Sequence, residues 1–210
     1  MFEIFSFMER YMVVLKSYKR MPKELENALL EKVYPISFCK GDIIQEAGTV
    51  SDKVYFVERG LLRLYLLNEH GKEITLRFKK EDEFIICLKT DCSEPEYLGD
   101  GIEALEDGTL WCFSGELMED LKQKFSQFLM HHISIASSDI VAIQKSARYS
   151  RRGDSAGNFD RLCKYSPSLL DRVPMKYLAE YTYIPEHILR HLHSTKKKLG
   201  LSLVRRRRSR

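Results

Sequence analysis

The chain has 210 residues, of which 44% are hydrophobic and 30% are charged, and its formal net charge is +4. This composition excludes a disordered chain, and the length allows one large or two small domains. No apolar run approaches the ~20 residues that a membrane-spanning helix needs. The five cysteines form no CxxC pair, and their odd number argues against a disulfide framework.

The first half of the chain is predicted to form a helix and then a β domain. Residues 1–20 mix charges through apolar positions, which predicts an amphipathic helix, is unlike a signal peptide and favours a cytoplasmic protein. Residues 36–113 contain short β-branched and aromatic runs, including VYFVER, LLRLYLL and EITLRF. Four glycines separate these runs: Gly41, Gly48, Gly60 and Gly71. This spacing and the hairpin signal NEHGKE predict an antiparallel jelly roll.

Helical periodicity returns after the β domain. The pattern predicts a short helix over 115–124 and a long one over 125–149. Apolar residues spaced by three or four form a seam on the long helix, which we predict to be a dimer interface. The seam comprises Phe125, Leu129, Ile133, Ala136, Ile140 and Ile143. The alternative is that it covers the sheet within one subunit.

Residues 173–198 predict two short helices joined by a tight turn, after a polar linker over 151–157. Pro174 suits the first position of one helix and Pro185 restarts another. An inward stripe of Ile188, Leu189 and Leu192 leaves donor-rich side chains outward, as reading base edges and phosphates in a DNA groove requires. The alternative is a helical hairpin with a solvated basic face.

Charge is divided unequally along the chain. Residues 1–140 carry 17 Lys and Arg against 25 Asp and Glu, whereas residues 141–210 carry 17 against 5. The resulting charges of −8 and +12 indicate a polyanion partner for the basic segment. A run of arginines over 205–208, with Arg210, is either a phosphate-binding tail or a solvated end.

This order of elements resembles the Crp/Fnr family of bacterial transcription regulators. The resemblance rests on KGDIIQEAGTVSDKVYFVERGLLRLYLLNEHGKEITLRF and IEALEDGTLWCF in the first half, and on FDRLCKYSPSLLDRVPMKYLAEYTYIPEHILRHL in the second. It implies an α+β chain with a cyclic nucleotide-binding-like β-roll over 1–124, a dimerisation helix over 125–150 and a winged helix-turn-helix over 151–210. It also implies a homodimer on an inverted-repeat operator in double-stranded DNA, with RNA polymerase as a candidate partner.

The second helix supplies all but one of the predicted DNA contacts, and Lys176 on the first helix is the exception. We expect Arg190 and His191 to contact bases, with His187 next, and four lysines to contact phosphates. The full candidate set is Lys176, Pro185, Glu186, His187, Arg190, His191, Ser194, Lys196, Lys197 and Lys198. Two departures from the family pattern affect this helix: Tyr183 replaces the usual turn glycine, and Arg190–His191 replace Ser-Arg, which moves the guanidinium by one position.

The effector segment also departs from the family pattern. Nucleotide-binding members are expected to neutralise the cyclic phosphate with a guanidinium and backbone N–H groups. Residues 81–110 contain no Arg, and Lys89 is surrounded by acids, among them Glu81, Asp82, Glu83, Asp91, Glu94 and Glu96. We therefore predict no response to cyclic AMP or cyclic GMP, and the effector is unknown.

Catalysis is not predicted. A cupin-type enzyme needs several histidines and a carboxylate converging in the barrel, but the β segment has only His70. We assign no catalytic residue, metal or cofactor, although the four-residue spacing of His187 and His191 is compatible with a metal. Two other functions stay open: a sequence-indifferent nucleic-acid-binding protein driven by its basic C-terminus, and a nucleotide-responsive regulator with an unusual pocket.

Overall fold

The structure of the chain is a computed structural model. It describes residues 11, 13–14, 22–31, 33–49, 51–86, 99–152 and 154–198. The chain divides into two compact units, Met1–Val141 and Ala142–Arg210. The predicted helix over 1–20 lies mostly outside the described residues, although Tyr11, Val13 and Val14 are helical.

The described residues of the first unit form eight antiparallel strands, in agreement with the predicted antiparallel β domain. In chain order they are β1 (Tyr34–Phe38), β2 (Ile43–Gln45), β3 (Val54–Arg59), β4 (Leu62–Leu67), β5 (Glu73–Lys79), β6 (Phe84–Ile86), β7 (Gly101–Ala104) and β8 (Gly108–Phe113). They form two four-stranded sheets, with strand orders β1-β8-β3-β6 and β2-β7-β4-β5. The predicted jelly roll is therefore confirmed.

Strand β3 shows why both of its faces are apolar. Tyr55 and Val57 pack with residues of the other sheet, among them Leu62, Leu64 and Ile102. Because successive side chains point to opposite faces, Val54 and Phe56 lie on the other side and pack against helical residues. Both faces are thus covered, which explains the uninterrupted burial of Val54–Val57 in the VYFVER run.

Strands β4 and β5 form the predicted hairpin. Asn68 Oδ1 accepts hydrogen bonds from the backbone N–H groups of His70 and Lys72, at 3.0 and 2.9 Å. Gly71 has φ of +70°, a left-handed conformation that glycine adopts without steric cost. The NEHGKE sequence therefore forms the turn that its composition predicts.

The helices that accompany the strands in the described part of the chain include α1 (Lys23–Glu31), α2 (Gly115–Lys124) and α3 (Ser126–Arg152). Helix α2 matches its prediction, and Ser114 caps it by accepting a hydrogen bond from the N–H of Leu117 at 3.2 Å. The long helix begins one residue later than predicted, because Phe125 has extended backbone and ends α2. Phe125 therefore precedes the helix that carries the rest of the predicted seam, and it packs against the core of the first unit.

After α3, the described residues of the second unit form four helices: α4 (Ser155–Tyr165), α5 (Leu169–Arg172), α6 (Met175–Thr182) and α7 (Glu186–Lys198). Asp154 caps α4 by accepting a hydrogen bond from the N–H of Gly157 at 2.7 Å. The prediction of a linker over 151–157 is therefore mostly wrong, since α3 continues to Arg152 and α4 begins at Ser155. An N-cap aspartate there starts a helix rather than a loop.

Candidate nucleic-acid interface

Helices α6 and α7 form the predicted pair around a tight turn. Pro174 is the residue before the first helical position, and α7 begins directly after Pro185. Leu178, Ile184 and Leu189, in the two helices and the turn between them, are almost completely buried. Of the predicted inward stripe, Leu189 is buried, whereas Ile188 and Leu192 are half-buried.

The turn between the helices is fixed by buried hydrogen bonds. The hydroxyl of Thr182 donates to the carbonyl of Leu178 at 2.6 Å, and the Nδ2 of Asn158 donates to the carbonyl of Thr182 at 3.0 Å. Asn158 lies on α4 and is 7% exposed. A side chain from a neighbouring helix therefore satisfies a carbonyl at the end of α6 that the helix itself leaves open.

The outward face of α7 is polar, as predicted. His187, Arg190, His191 and Ser194 are all exposed. Ser194 donates a hydrogen bond to the carbonyl of His191 at 2.9 Å, whereas the imidazoles of His187 and His191 lie one helical turn apart on the surface. The structure thus brings the predicted base-contacting residues together on one accessible surface.

Arg190 is already engaged by a residue of its own helix. Its Nη2 and Nε lie 2.5 and 3.0 Å from Glu186 Oε1. The pair is surface-exposed, with 63% of the Arg190 side chain and 41% of the Glu186 side chain accessible. An exposed pair at this spacing contributes only about 0.3–0.5 kcal/mol, so a phosphate or base can compete for the guanidinium. Glu186 therefore orients Arg190 rather than removing it from the surface.

The predicted phosphate-binding lysines differ in their surroundings. Lys196 is half-buried, and its Nζ lies 5.7 Å from the centre of the Phe159 ring on α4. Lys176 is exposed, with its Nζ 5.6 Å from the Tyr177 ring centre, and Lys197 is also exposed. Lys197 is therefore the better phosphate candidate on α7. The Lys198 side chain, the arginine run over 205–208 and the predicted wing lie outside the described side chains.

The seam on α3 is largely exposed. Leu129, Ile133, Ile140 and Ile143 are 43%, 47%, 50% and 47% accessible, and Ala136 is half-buried. A different set of α3 residues, which includes Phe128 and Ile135, packs against the sheet within the subunit. The exposures therefore do not support the alternative in which the seam serves the core of its own subunit.

Residues 87–98 of the effector segment lie outside the described residues. That range includes Cys87, Lys89, Asp91, Cys92, Glu94 and Glu96. Next to it, Arg77 Nη2 lies 3.3 Å from Asp100 Oδ2. Burial raises the pKa of Asp100, while the Arg77 guanidinium lowers it. Burial also raises the pKa of Glu83.

Sequence reasoning missed Arg77 and Asn158. Arg77 precedes residues 81–110, and in the structure β5 brings it to Asp100, which lies within that range. Asn158 lies 24 residues from the carbonyl that it contacts. A mid-helix asparagine is a weak sequence signal, because its partner becomes visible only after the helices have packed.

Residues 35–125 match the family model of the cyclic nucleotide-binding domain. The fold of the chain is also similar to that of solved structures over most of its length. A candidate transcriptional regulator of the Crp/Fnr family from Eubacterium rectale is 14% identical, with a TM-score of 0.66 and 86% of each chain covered.

Two further solved structures have a similar fold. FixK2 from Bradyrhizobium japonicum is 14% identical at a TM-score of 0.66, with 80% of this chain and 86% of that chain covered. The c-di-GMP-responsive global regulator CLP of Xanthomonas campestris is 15% identical at a TM-score of 0.61, with 88% and 96% covered. No curated protein sequence matches the chain. The chain therefore has a cyclic nucleotide-binding domain and the fold of the Crp/Fnr regulators, which confirms the predicted resemblance.

The described residues lack two features, a membrane-spanning helix and a metal-binding cluster. No helix in these parts of the chain is long and apolar enough to cross a membrane. Within the same residues, no group of three or more His, Cys, Asp and Glu side chains is arranged to hold a metal ion.

Proposed function

We propose that this protein is a DNA-binding transcription regulator of the Crp/Fnr type, which acts in the cytoplasm as a homodimer and is not an enzyme. The observation that carries the proposal is the outward face of α7, where His187, Arg190, His191 and Ser194 are accessible while Leu189 anchors the helix. A helix with this division of faces can enter a major groove with its polar side. The charge of +12 over residues 141–210 adds attraction to DNA.

The exposed seam of α3 supports the homodimer. Leu129, Ile133, Ile140 and Ile143 each leave about half of their side chains in water. Completing the burial of one such side chain contributes about 1 kcal/mol, so eight of them across a symmetric interface contribute roughly 8 kcal/mol before the cost of association. A second copy is the matching occupant, because a two-fold axis places the same apolar spacing on both helices.

A homodimer predicts the form of its operator. Two recognition helices related by a two-fold axis enter successive major grooves about 34 Å apart, which requires an inverted repeat. Selection of bound duplexes from a random pool, at near-physiological salt, should enrich such a repeat. Binding without enrichment would instead favour the sequence-indifferent alternative, because that alternative depends on phosphate contacts alone.

Two single substitutions separate base contacts from phosphate contacts. Arg190→Ala should weaken binding to the selected operator by about 1–3 kcal/mol and relax the preference at one position of each half-site. Lys197→Ala should weaken every sequence by a similar factor and reduce the salt dependence by about one unit of slope. Equal loss on all duplexes for Arg190→Ala would refute its role as a base-contacting residue.

Introducing a charged residue into the α3 seam tests the proposed homodimer. Ile140→Glu places a carboxylate in the apolar interface proposed for each subunit, and sedimentation should then show monomers at micromolar concentration. The matched control is Ile43→Glu on β2, a residue with similar exposure at 44%. If the two variants sediment alike, the seam is not the interface.

The absence of a nucleotide response is tested separately. Arg77 is the cation that the structure adds to the effector region, and it already pairs with Asp100. A cyclic phosphate there would have to displace this carboxylate from the Arg77 guanidinium. Calorimetric titration with cyclic AMP and cyclic GMP should show no binding at micromolar concentration, and micromolar affinity for either would favour the nucleotide-responsive alternative.

A further inference from the structure

Tyr183, in the turn between α6 and α7, has a backbone conformation that tyrosine rarely adopts. Its φ and ψ are +56° and +32°, in the left-handed region. Asp82 is the other non-glycine residue with positive φ among the described residues. Aspartate tolerates this region better than a bulky residue does, whereas glycine adopts it freely. Tyrosine at this position therefore strains the turn.

The surrounding contacts prevent the turn from relaxing. The N–H of Tyr183 donates to the carbonyls of Ala179 and Glu180, and the N–H of Ile184 donates to that of Ala179 at 3.2 Å. Thr182 and Ile184, on either side, are 7% and 1% exposed. With both neighbours buried and the backbone bonded, the Tyr183 side chain must point outward.

Packing does not explain the tyrosine. Its side chain is 72% exposed, so its ring contributes little to the core of the second unit. A strained residue that stability does not require is a candidate for a function at the surface. The position is three residues before Glu186, the first residue of the helix that carries the proposed DNA contacts.

We infer that Tyr183 is an additional DNA-contacting residue, whose phenol hydroxyl donates a hydrogen bond to a backbone phosphate beside the groove that α7 enters. This inference rests on the proposed DNA binding. A tyrosine hydroxyl is among the groups that bind phosphate oxygens, and a rigid ring carries it outward with little loss of side-chain entropy. Because phosphates carry no sequence information, Tyr183 contributes affinity and orientation rather than base preference.

The test uses three variants of the full chain. Tyr183→Phe removes only the hydroxyl, Tyr183→Gly removes the side chain and suits the left-handed backbone, and Tyr165→Phe is the control. Tyr165 is 64% exposed and ends α4 in the same unit. Affinity is measured on the selected operator and on a random duplex at several salt concentrations, and the melting temperature is measured without DNA.

We expect Tyr183→Phe to bind both duplexes about 3- to 10-fold more weakly, with an unchanged salt slope because a neutral donor releases no counterion. Tyr183→Gly should lose at least as much affinity while its melting temperature rises by a few degrees, since the strain is relieved. Tyr165→Phe should bind like the unaltered chain. Loss of affinity together with gain of stability is the signature that a merely structural tyrosine would not give.

Other outcomes overturn the inference. Binding by Tyr183→Phe within 2-fold of the unaltered chain would refute the hydroxyl contact while leaving the proposed function intact. A lower melting temperature for Tyr183→Gly would refute the argument from strain. If the unaltered chain binds neither duplex, the proposed function fails and the inference fails with it.

Discussion

The hydrogen bond from Asn158 to the carbonyl of Thr182 should be a main support of the turn before α7. The Asn158→Ala substitution removes the Nδ2 donor and leaves the carbonyl at the end of α6 without that bond. Asn158 is 7% exposed and Thr182 is also 7% exposed, so water reaches this carbonyl poorly. The substitution should therefore destabilise the second unit and loosen the start of α7.

The magnitude follows from the bond that is lost. A buried carbonyl left without its donor costs about 1–3 kcal/mol, whereas the loss of the side chain's apolar contacts adds little, because asparagine is polar and small. Asn158 Oδ1 also accepts a hydrogen bond from Arg161, and that contact is lost as well. For a chain of this length, where 1 kcal/mol shifts the melting temperature by about 2–4 °C, we expect a decrease of roughly 2–12 °C.

Thermal unfolding followed by circular dichroism measures this effect. Asn158→Asp is the informative companion, since it preserves the size of the side chain but replaces the donor with a carboxylate oxygen facing a carbonyl oxygen. It should be at least as destabilising as Asn158→Ala. The control is Asp160→Ala, at an exposed position of the same helix, which should change stability by less than about 0.5 kcal/mol. A stable Asn158→Asp variant would show that the donor is unimportant and refute the reasoning.

Two further predictions concern the first unit. Lys79, whose side chain is 7% exposed, places its Nζ 2.7 and 2.8 Å from the carboxylate oxygens of Asp139. Lys79→Met should therefore destabilise the unit by about 1–3 kcal/mol in urea unfolding. The double variant Lys79→Met with Asp139→Leu should recover part of this loss, and no recovery would contradict a charge effect. Burial and, secondarily, Lys122 lower the pKa of His132 in the folded chain. As the pH falls, His132 is therefore protonated in the unfolded chain before it is protonated in the folded one, and stability is lost below about pH 6.5. His132→Gln should flatten the melting temperature measured from pH 7.5 to 5.5, and an unchanged profile would exclude His132.

Several elements could be predicted from the sequence because their signals are local. The alternating runs of β3, β4 and β5, the glycine in the β4–β5 turn, and helix α2 all follow from periodicity and turn chemistry within a few residues. The same is true of the two helices around Tyr183, which prolines at positions 174 and 185 introduce. The outward side chains of α7 could be identified for the same reason.

Other features were decided only by tertiary structure. Phe125 has the spacing of the α3 seam but packs into the core, because the chain bends between α2 and α3. Phe128 and Ile135, which the seam pattern omits, cover the sheet instead. Helical periodicity gives the spacing of apolar residues but does not say which of two apolar faces meets the rest of the molecule.

The sequence by itself determined the order of elements, the division of charge and the candidate DNA-contacting residues, since each depends on neighbours in the chain. Tertiary structure decided which of those residues are accessible and what holds them. Glu186 orients Arg190, the Phe159 ring lies beneath the ammonium group of Lys196, and Asn158 fixes the turn. The last two contacts join residues far apart in sequence, and such pairings form only when packing brings their helices together.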